Sequence, residues 1–319
     1  KRTRHPISLL RYMALTLRIN VLIYKIIRQQ RIDLLHANTT VACLQGILAA
    51  RLASVPIIWH VRDSIRLSML GTLLEAYADH IVTVSAAVRD QVLRKCLYKV
   101  SIIYNGILLS KPGLPHSGNG FSCANARRTK ADLIMVAQYV PWKNHSILID
   151  AVSRLKREMP DIKLLFVGAQ HDPSREYVQS LLRMTAEASL QENVTFAQHR
   201  DDVYELISGS RILVHTALNE PMGRVIAEAL LLRTPVVAFK SGGIPELIDD
   251  GVDGVLVEPG DLDGLVRAIK MALEPEVHNQ LVENGYRKAK EMFSIDRQSK
   301  KILSIYNRLL MNCGVSSSH

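Results

Sequence analysis

Two glutamates, Glu220 and Glu228, stand eight positions apart in the run EPMGRVIAE, and an earlier PWKN turn carries Lys143. Eight residues of helix rise about 12 Å and turn through about 80°, so groups at that spacing lie along one flank. That span suits a sugar joined to a nucleoside through a diphosphate. A carboxylate at Glu228 could accept both hydroxyls of a ribose, and one at Glu220 could hold hexose hydroxyls. Gly223, between them, lets a phosphate approach the backbone, and the free N–H groups of a helix start favour an anion. The plainer alternative makes Glu220 an acid at a helix N-terminus and Glu228 a surface residue.

The elements that must position these groups are legible around them. Arg211–His215 reads as a strand and Arg224–Leu232 as a helix, so Glu220, Pro221, Met222 and Gly223 form the turn between them. A buried strand, Pro235–Phe239, and a second glycine turn, Ser241-Gly-Gly, follow. Ligands of open α/β sheets bind at this end of the strands. Further back, strands are expected at Asp33–His36, Pro56–His60, Ile81–Ser85 and Ser101–Tyr104, and then at Asp132–Ala137, Ile162–Gly168, Asn193–Ala197 and Gly254–Val257, with helical stretches between them. The fold class expected is α/β: two Rossmann-like, doubly wound domains, the first one incomplete. A first domain over 1–115, a linker or mobile loop over 116–130, a second domain over 131–293 and a closing helix over 294–319 that crosses back to the first domain divide the chain. The first domain offers four strands against six, and it opens inside a basic helical segment. The true N-terminus is therefore expected to be missing, which would leave a parallel sheet with an unpaired edge.

Composition narrows the class. The 319 residues are 48% hydrophobic, with a net charge of +10 and only 5% aromatic residues. A basic excess suits phosphorylated substrates or an anionic membrane face. Nucleic acid is not expected as a partner, because no recognisable binding module and no aromatic stacking platform is present. The apolar stretch Leu9–Ile27 is broken by Arg11, Arg18 and Lys25 at helical spacing, which describes an amphipathic helix rather than a membrane span. No signal peptide is visible. Cys43, Cys96, Cys123 and Cys313 are scattered without a C-x-x-C pair and read as reduced cytosolic thiols. The expected location is cytoplasmic, with the basic helix 7–31 either packed inward as a domain helix or resting peripherally on the inner face of an anionic membrane.

The run EPMGRVIAEALLLRTPVVAFKSGGIPELI resembles the E-x7-E region of the retaining GT-B-fold glycosyltransferases of family 4, also called group 1. Upstream, Asp33-Leu-Leu-His-Ala37, PIIWHVRD (Pro56–Asp63), ADHIVTVSAAV (Ala78–Val88) and VSIIYNGI (Val100–Ile107) resemble that family's first domain, and VAQYVPWKNHSILIDAV resembles the start of its donor domain. The order of motifs is kept over nearly the whole chain. The resemblance implies a nucleoside-diphosphate sugar as co-substrate, bound by the second domain, and a glycan or lipid-linked acceptor held by the first. Glu228 would bind the ribose and Glu220 the transferred sugar. Met222 and Gly223 would lie against sugar or phosphates, with Arg224 beside them in the donor-binding set. Lys143 would neutralise the diphosphate, a task that suits a compact point charge. His60 would sit near the sugar, although a histidine ending a strand is also a common core group. His199 and Arg200 would offer backbone groups to the base. Glu220, His60 and Lys143 are the catalytic set so implied, and no metal is expected.

Two departures from the family pattern stand out. Gln138 occupies a place where the family often has an arginine, so a neutral donor replaces a cation beside the phosphates. The family's N-terminal strand and glycine-rich loop have no counterpart before Lys1. A non-catalytic or truncated nucleotide-sugar binder therefore stands as an alternative to a transferase, as does an epimerase or phosphorylase of the same fold. A retaining hydrolase is a poor fit, because it needs two carboxyls about 5–5.5 Å apart.

Overall fold

The computed structural model describes residues 6–63, 69–92, 96–108, 131–169 and 175–312. The segment 116–130, Cys123 and Cys313 lie outside them. The chain divides into two compact units, one of Lys1–Asn105 with Asp296–His319 and one of Gly106–Ile295.

The first unit runs α1 (Pro6–Gln30), β1 (Leu35–Ala37), α2 (Thr40–Ala53), β2 (Ile57–Val61), α3 (Met69–Tyr77), β3 (His80–Thr83), α4 (Ala86–Val92) and β4 (Val100–Ile102). Its four strands pair in parallel in the order β1-β2-β3-β4. Every residue of β2 and β3 is buried, as expected of parallel strands covered on both faces. Local signals set the ends of α2. Thr39 caps its first turn by accepting from the Ala42 N–H at 3.1 Å, and Ser54 ends it in the left-handed region at φ 59°.

The second unit runs β5 (Leu133–Val136), α5 (His145–Leu155), β6 (Leu164–Val167), α6 (Arg175–Glu187), β7 (Val194–Ala197), α7 (Val203–Ser208), β8 (Ile212–His215), α8 (Arg224–Leu231), β9 (Val236–Phe239), β10 (Val255–Val257), α9 (Leu262–Leu273) and α10 (Pro275–Met292). The six strands are parallel in the order β10-β9-β8-β5-β6-β7. The chain thus starts in the middle, winds outward to β7, and returns to the other side of β5 with β8. The order reverses between β5 and β8, and ligands of open α/β sheets bind at the carboxyl ends of the strands beside such a reversal. Met135, Phe166, Val214 and Phe239 form the sheet's share of the core, against Leu148, Leu155 and Ile269 of the helices.

The last helix, α11 (Ile295–Asn312), packs on the first unit. Ile305 and Leu309 join Ile58, Val82 and Ile103 in one apolar cluster. Two polar contacts accompany it. The Tyr306 hydroxyl lies 2.5 Å from Nδ1 of His36, and the Arg308 guanidinium donates to Nδ1 of His80 at 3.2 Å. His80 can accept there only as a neutral ring, with its Nε2 hydrogen directed to the Ser101 hydroxyl at 3.0 Å.

Buried neutral histidines make the fold acid-sensitive. Burial first, then Arg308 and Lys99, brings His80 down to about 4. Burial likewise brings His145 down to about 4, reinforced by the charges of Lys143 and His215 and partly opposed by a backbone hydrogen bond with Ala137. The unfolded chain takes up these protons near the ordinary value of 6.5, whereas the native state refuses them until about 4. Their stabilisation is therefore complete above pH 6.5 and drains away as pH falls towards 4, at about 1.4 kcal/mol per pH unit for each ring. Urea midpoints should fall steadily between pH 6.5 and 4.5, and His80→Asn should flatten that slope. Midpoints that hold constant over the range would show that the native rings are already protonated.

Candidate functional site

The site at the sheet's reversal is built by the two central loops of the second unit. After β5, Tyr139 turns inward (3% exposed) and donates to the carbonyl of Ala197 at 2.8 Å. It also packs on His145, the rings 5.2 Å apart. Pro141-Trp142-Lys143 then forms a short 3-10 turn, ended by Asn144 at φ 58°. The loop after β8 clasps this turn. Thr216 Oγ1 lies 3.1 Å from the Lys143 carbonyl and 3.0 Å from that of Asn144, and the Leu218 N–H donates to the Trp142 carbonyl at 2.8 Å. Lys143 is thereby fixed by groups far away in sequence.

The second glycine turn clasps the β8 loop in its turn. Ser241 Oγ accepts from the Asn219 N–H at 2.7 Å, and the Gly243 N–H donates to the Glu220 carbonyl at 2.8 Å. Gly242, at φ 59°, passes so close that an added Cβ would stand 2.1 Å from the Glu220 oxygen. Only glycine fits there, because the conformation and the space both exclude a side chain. Gly223, at φ 82°, then directs the chain into α8. Glu220 is thus held on the turn by backbone contacts and lies ahead of the helix, so the helical period does not set its position.

Its carboxylate meets two donors. Lys143 Nζ lies 2.5 Å from Oε2, and Nε2 of His215 lies 3.2 Å from the same oxygen. The lysine and the glutamate each keep only 12% of their side chains exposed, and His215 keeps 1%. Burial alone would raise the Glu220 pKa. The hydrogen bond and charge of His215, followed by those of Lys143, outweigh it and hold the carboxyl down at about 2. Lys143 Nζ also sits 4.1 Å over the Trp142 ring. His215 was read from sequence only as the end of a strand. Its position at the switch point, five residues before Glu220, was the available signal.

The other expected residues fall into separate places. Glu228, on α8, lies 3.5 Å from Arg224 with its side chain 14% exposed. It faces Tyr204 of α7, whose hydroxyl is raised by burial and then by the Glu228 charge. Met222 is buried (2%) beneath the turn. Gln138 is exposed, and its carbonyl accepts from the Val140 N–H at 2.8 Å. His199 and Arg200 follow β7 at the sheet's far side, both exposed, with Arg200 gripping Asp202 through two bonds of 2.7 and 2.6 Å. His60 belongs to the first unit, fully enclosed at the end of β2. Its Nδ1 lies 3.2 Å from Nε2 of His36, and its Nε2 has no partner among the described residues. Burial, then Arg62 and His36, lowers its pKa to about 3.

This layout, with a six-stranded doubly wound sheet carrying a lysine and a glutamate at its switch point, matches known proteins. The family described as "Glycosyl transferases group 1" matches residues 123–288, and "Glycosyltransferase Family 4" matches residues 1–111. The chain belongs to the group 1 glycosyltransferases. Both parallel sheets with their interleaved helices are those of the GT-B fold. Among curated relatives of this glycosyltransferase is UDP-Gal:alpha-D-GlcNAc-diphosphoundecaprenol alpha-1,3-galactosyltransferase of Escherichia coli, 23% identical over 312 residues, 91% of this chain and 79% of the relative. N-acetyl-alpha-D-glucosaminyl L-malate synthase of Bacillus anthracis is 29% identical over 178 residues, 56% of this chain and 44% of its own length. Of solved structures, HepE of Anabaena in complex with UDP and glucose is 25% identical with a TM-score of 0.77, over 90% of this chain and 81% of that one. A glycosyltransferase from Rickettsia africae shares the fold with a TM-score of 0.80 at 19% identity, over 98% of this chain and 84% of that one.

The clasp between the two glycine turns has a measurable consequence. Gly242→Ala should cost about 2 kcal/mol or more in urea denaturation, because it combines left-handed backbone with a backbone clash. Gly251, at φ 73°, has open space around its Cβ position, so Gly251→Ala should cost clearly less. Equal losses at the two sites would remove the clash with Glu220 from the account.

Proposed function

We propose that this glycosyltransferase moves a hexose from a UDP-sugar to a lipid-linked or polysaccharide hydroxyl, with retention at the anomeric carbon. The observation that carries this reading is the pairing of Lys143 with Glu220 at the switch point of the second sheet. In the reading, Lys143 and the start of α8 neutralise the departing diphosphate, so that charge stabilisation rests on protein groups rather than on a metal. Glu220 holds hydroxyls of the transferred sugar and Glu228 those of the ribose. Met222, Gly223 and Arg224 line the phosphates and sugar, while Gln138, His199 and Arg200 contribute polar and backbone groups to the nucleotide. The acceptor hydroxyl attacks the face from which UDP departs, without a protein nucleophile. The UDP donor is favoured by HepE, solved with UDP-glucose, and by the Escherichia coli relative, named for a UDP-galactose donor and a diphosphoundecaprenol acceptor.

A nucleotide panel tests the donor site directly. UDP at about 100 times its dissociation constant should add about 2.7 kcal/mol of stability, read as a rise of several degrees in Tm. Glu228→Ala should lose most of that rise, because hydrogen bonds to a charged acceptor are worth about 1.5–3 kcal/mol each. An undiminished rise in the variant would take Glu228 out of the nucleotide site.

The same reading places the protein at the cytoplasmic face of a membrane. No helix among the described residues is long and apolar enough to cross one. Helix α1 instead carries Arg11, Arg18 and Lys25 at seven-residue intervals along one ridge, without a single acidic residue in its 25 positions. Leu15, Leu22 and Ile26, each more than half exposed, flank that ridge. Apolar flanks beside a cationic ridge match an anionic bilayer surface, where each basic residue contributes about 1 kcal/mol. The full chain should float with phosphatidylglycerol vesicles and not with phosphatidylcholine, and Arg11→Glu with Arg18→Glu should release it. Equal flotation of the double variant would dismiss α1 as the contact.

A further inference from the structure

The buried carboxylate poses a problem that the transfer reading itself creates. Lys143 and His215 share one oxygen of Glu220, Oε2, while Oε1 has no partner among the described residues. Lys143 cannot serve two masters equally. When it turns to a diphosphate, Glu220 would be left enclosed with a single remaining donor. Removing one partner of a buried ion pair is far costlier than never having formed the pair.

His215 is built to be that remaining donor. It is the last residue of β8, a central strand with every residue buried, and its side chain is 1% exposed, so its ring cannot swing away. Its Nε2 reaches Glu220 at 3.2 Å, and its Nδ1 has no partner among the described residues. The titratable groups around it are Glu220 on the following turn, its hydrogen-bond partner; Lys143 on the turn after β5, which shares the same oxygen; and His145 on α5, which its charge influences. Among the described residues, the only hydrogen bond of this buried histidine is to a carboxylate. We infer that His215 is the positioning residue of Glu220: its Nε2–H grips Oε2 permanently, keeps the carboxylate ionised when Lys143 leaves for the diphosphate, and presents Oε1 to the sugar hydroxyls. This rests on the roles proposed above for Lys143 and Glu220.

The consequence is a division of labour between two donors. Lys143 exchanges partners as the donor substrate comes and goes, and His215 does not. The test follows the Glu220 carboxyl itself by carbon-13 NMR in protein labelled at glutamate side-chain carboxyls, with the signal assigned by its loss in Glu220→Gln. His215→Leu should raise the midpoint of the Glu220 titration by about one unit or more, and by more still in the presence of saturating UDP. His215→Gln, whose amide reaches the place of Nε2, should restore a midpoint near that of the wild type, and His215→Asn, which is shorter, should not. A Glu220 midpoint that is the same in wild type, His215→Leu and His215→Asn would overturn the inference. If the leucine variant fails to fold, the comparison of Gln with Asn decides the matter alone. A UDP panel without any Tm rise would sink the donor-site reading while leaving the ligand-free titrations to judge His215 separately.

Discussion

A carboxylate closed off from water must be compensated before a chain can fold around it, and Glu220 shows how this protein meets that demand. Left to burial alone its carboxyl would take up a proton; with His215 and Lys143 on one oxygen it stays ionised far below neutral pH. One donor, His215, ends β8 and the other, Lys143, lies on the turn after the neighbouring strand β5, so the sheet's reversal between these strands brings both to the carboxylate.

The backbone around the pair follows from the same requirement. A lysine and a glutamate 77 positions apart will meet at 2.5 Å only if neither loop drifts. Thr216 and Leu218 bind the lysine's turn through its carbonyls, and Ser241 and Gly243 bind the glutamate's turn through its N–H and C=O. These are backbone contacts, which hold regardless of the side chains on the clasped turn. Gly242 is the point at which this economy becomes strict, since the approach of two main chains leaves no volume for a Cβ. Tyr139 plays the corresponding part beneath the lysine's turn, tying it to the end of β7.

The first unit solves a similar problem with neutral groups. His60 and His80 are enclosed and His36 is half-buried, and their partners are hydroxyls, another imidazole and a guanidinium rather than a carboxylate. Neutral rings suit such surroundings, because a proton added to any of them would face Arg62, Arg308 or a neighbouring ring without compensation. The second unit adds a compensated ion pair to the same device, since His145 there is also a buried ring held well below its ordinary value.

Much of the fold was legible in the amino-acid sequence because it depends on short-range patterns. The ten strands among the described residues lie within a residue or two of where β-branched apolar runs placed them, and the helix from Arg224 begins at the glycine that marks its turn. Parallel strands buried on both faces must be apolar throughout, and few other elements are. The spacing of Glu220 and Glu228 and the presence of Lys143 in a proline-led turn were equally plain. Which of these groups touch was not. The contact of Lys143 with Glu220, the enclosure of His215 beside them, the separation of Arg200 into its own pair with Asp202, and the approach of Gly242 to the Glu220 carbonyl all join distant or differently oriented segments. Such contacts depend on strand order and loop direction, which no local run of residues encodes. The sequence by itself determined the elements, their order and the chemical types available at their ends; the tertiary structure alone decided which charges would share one oxygen, because only the sheet's reversal brings those ends together.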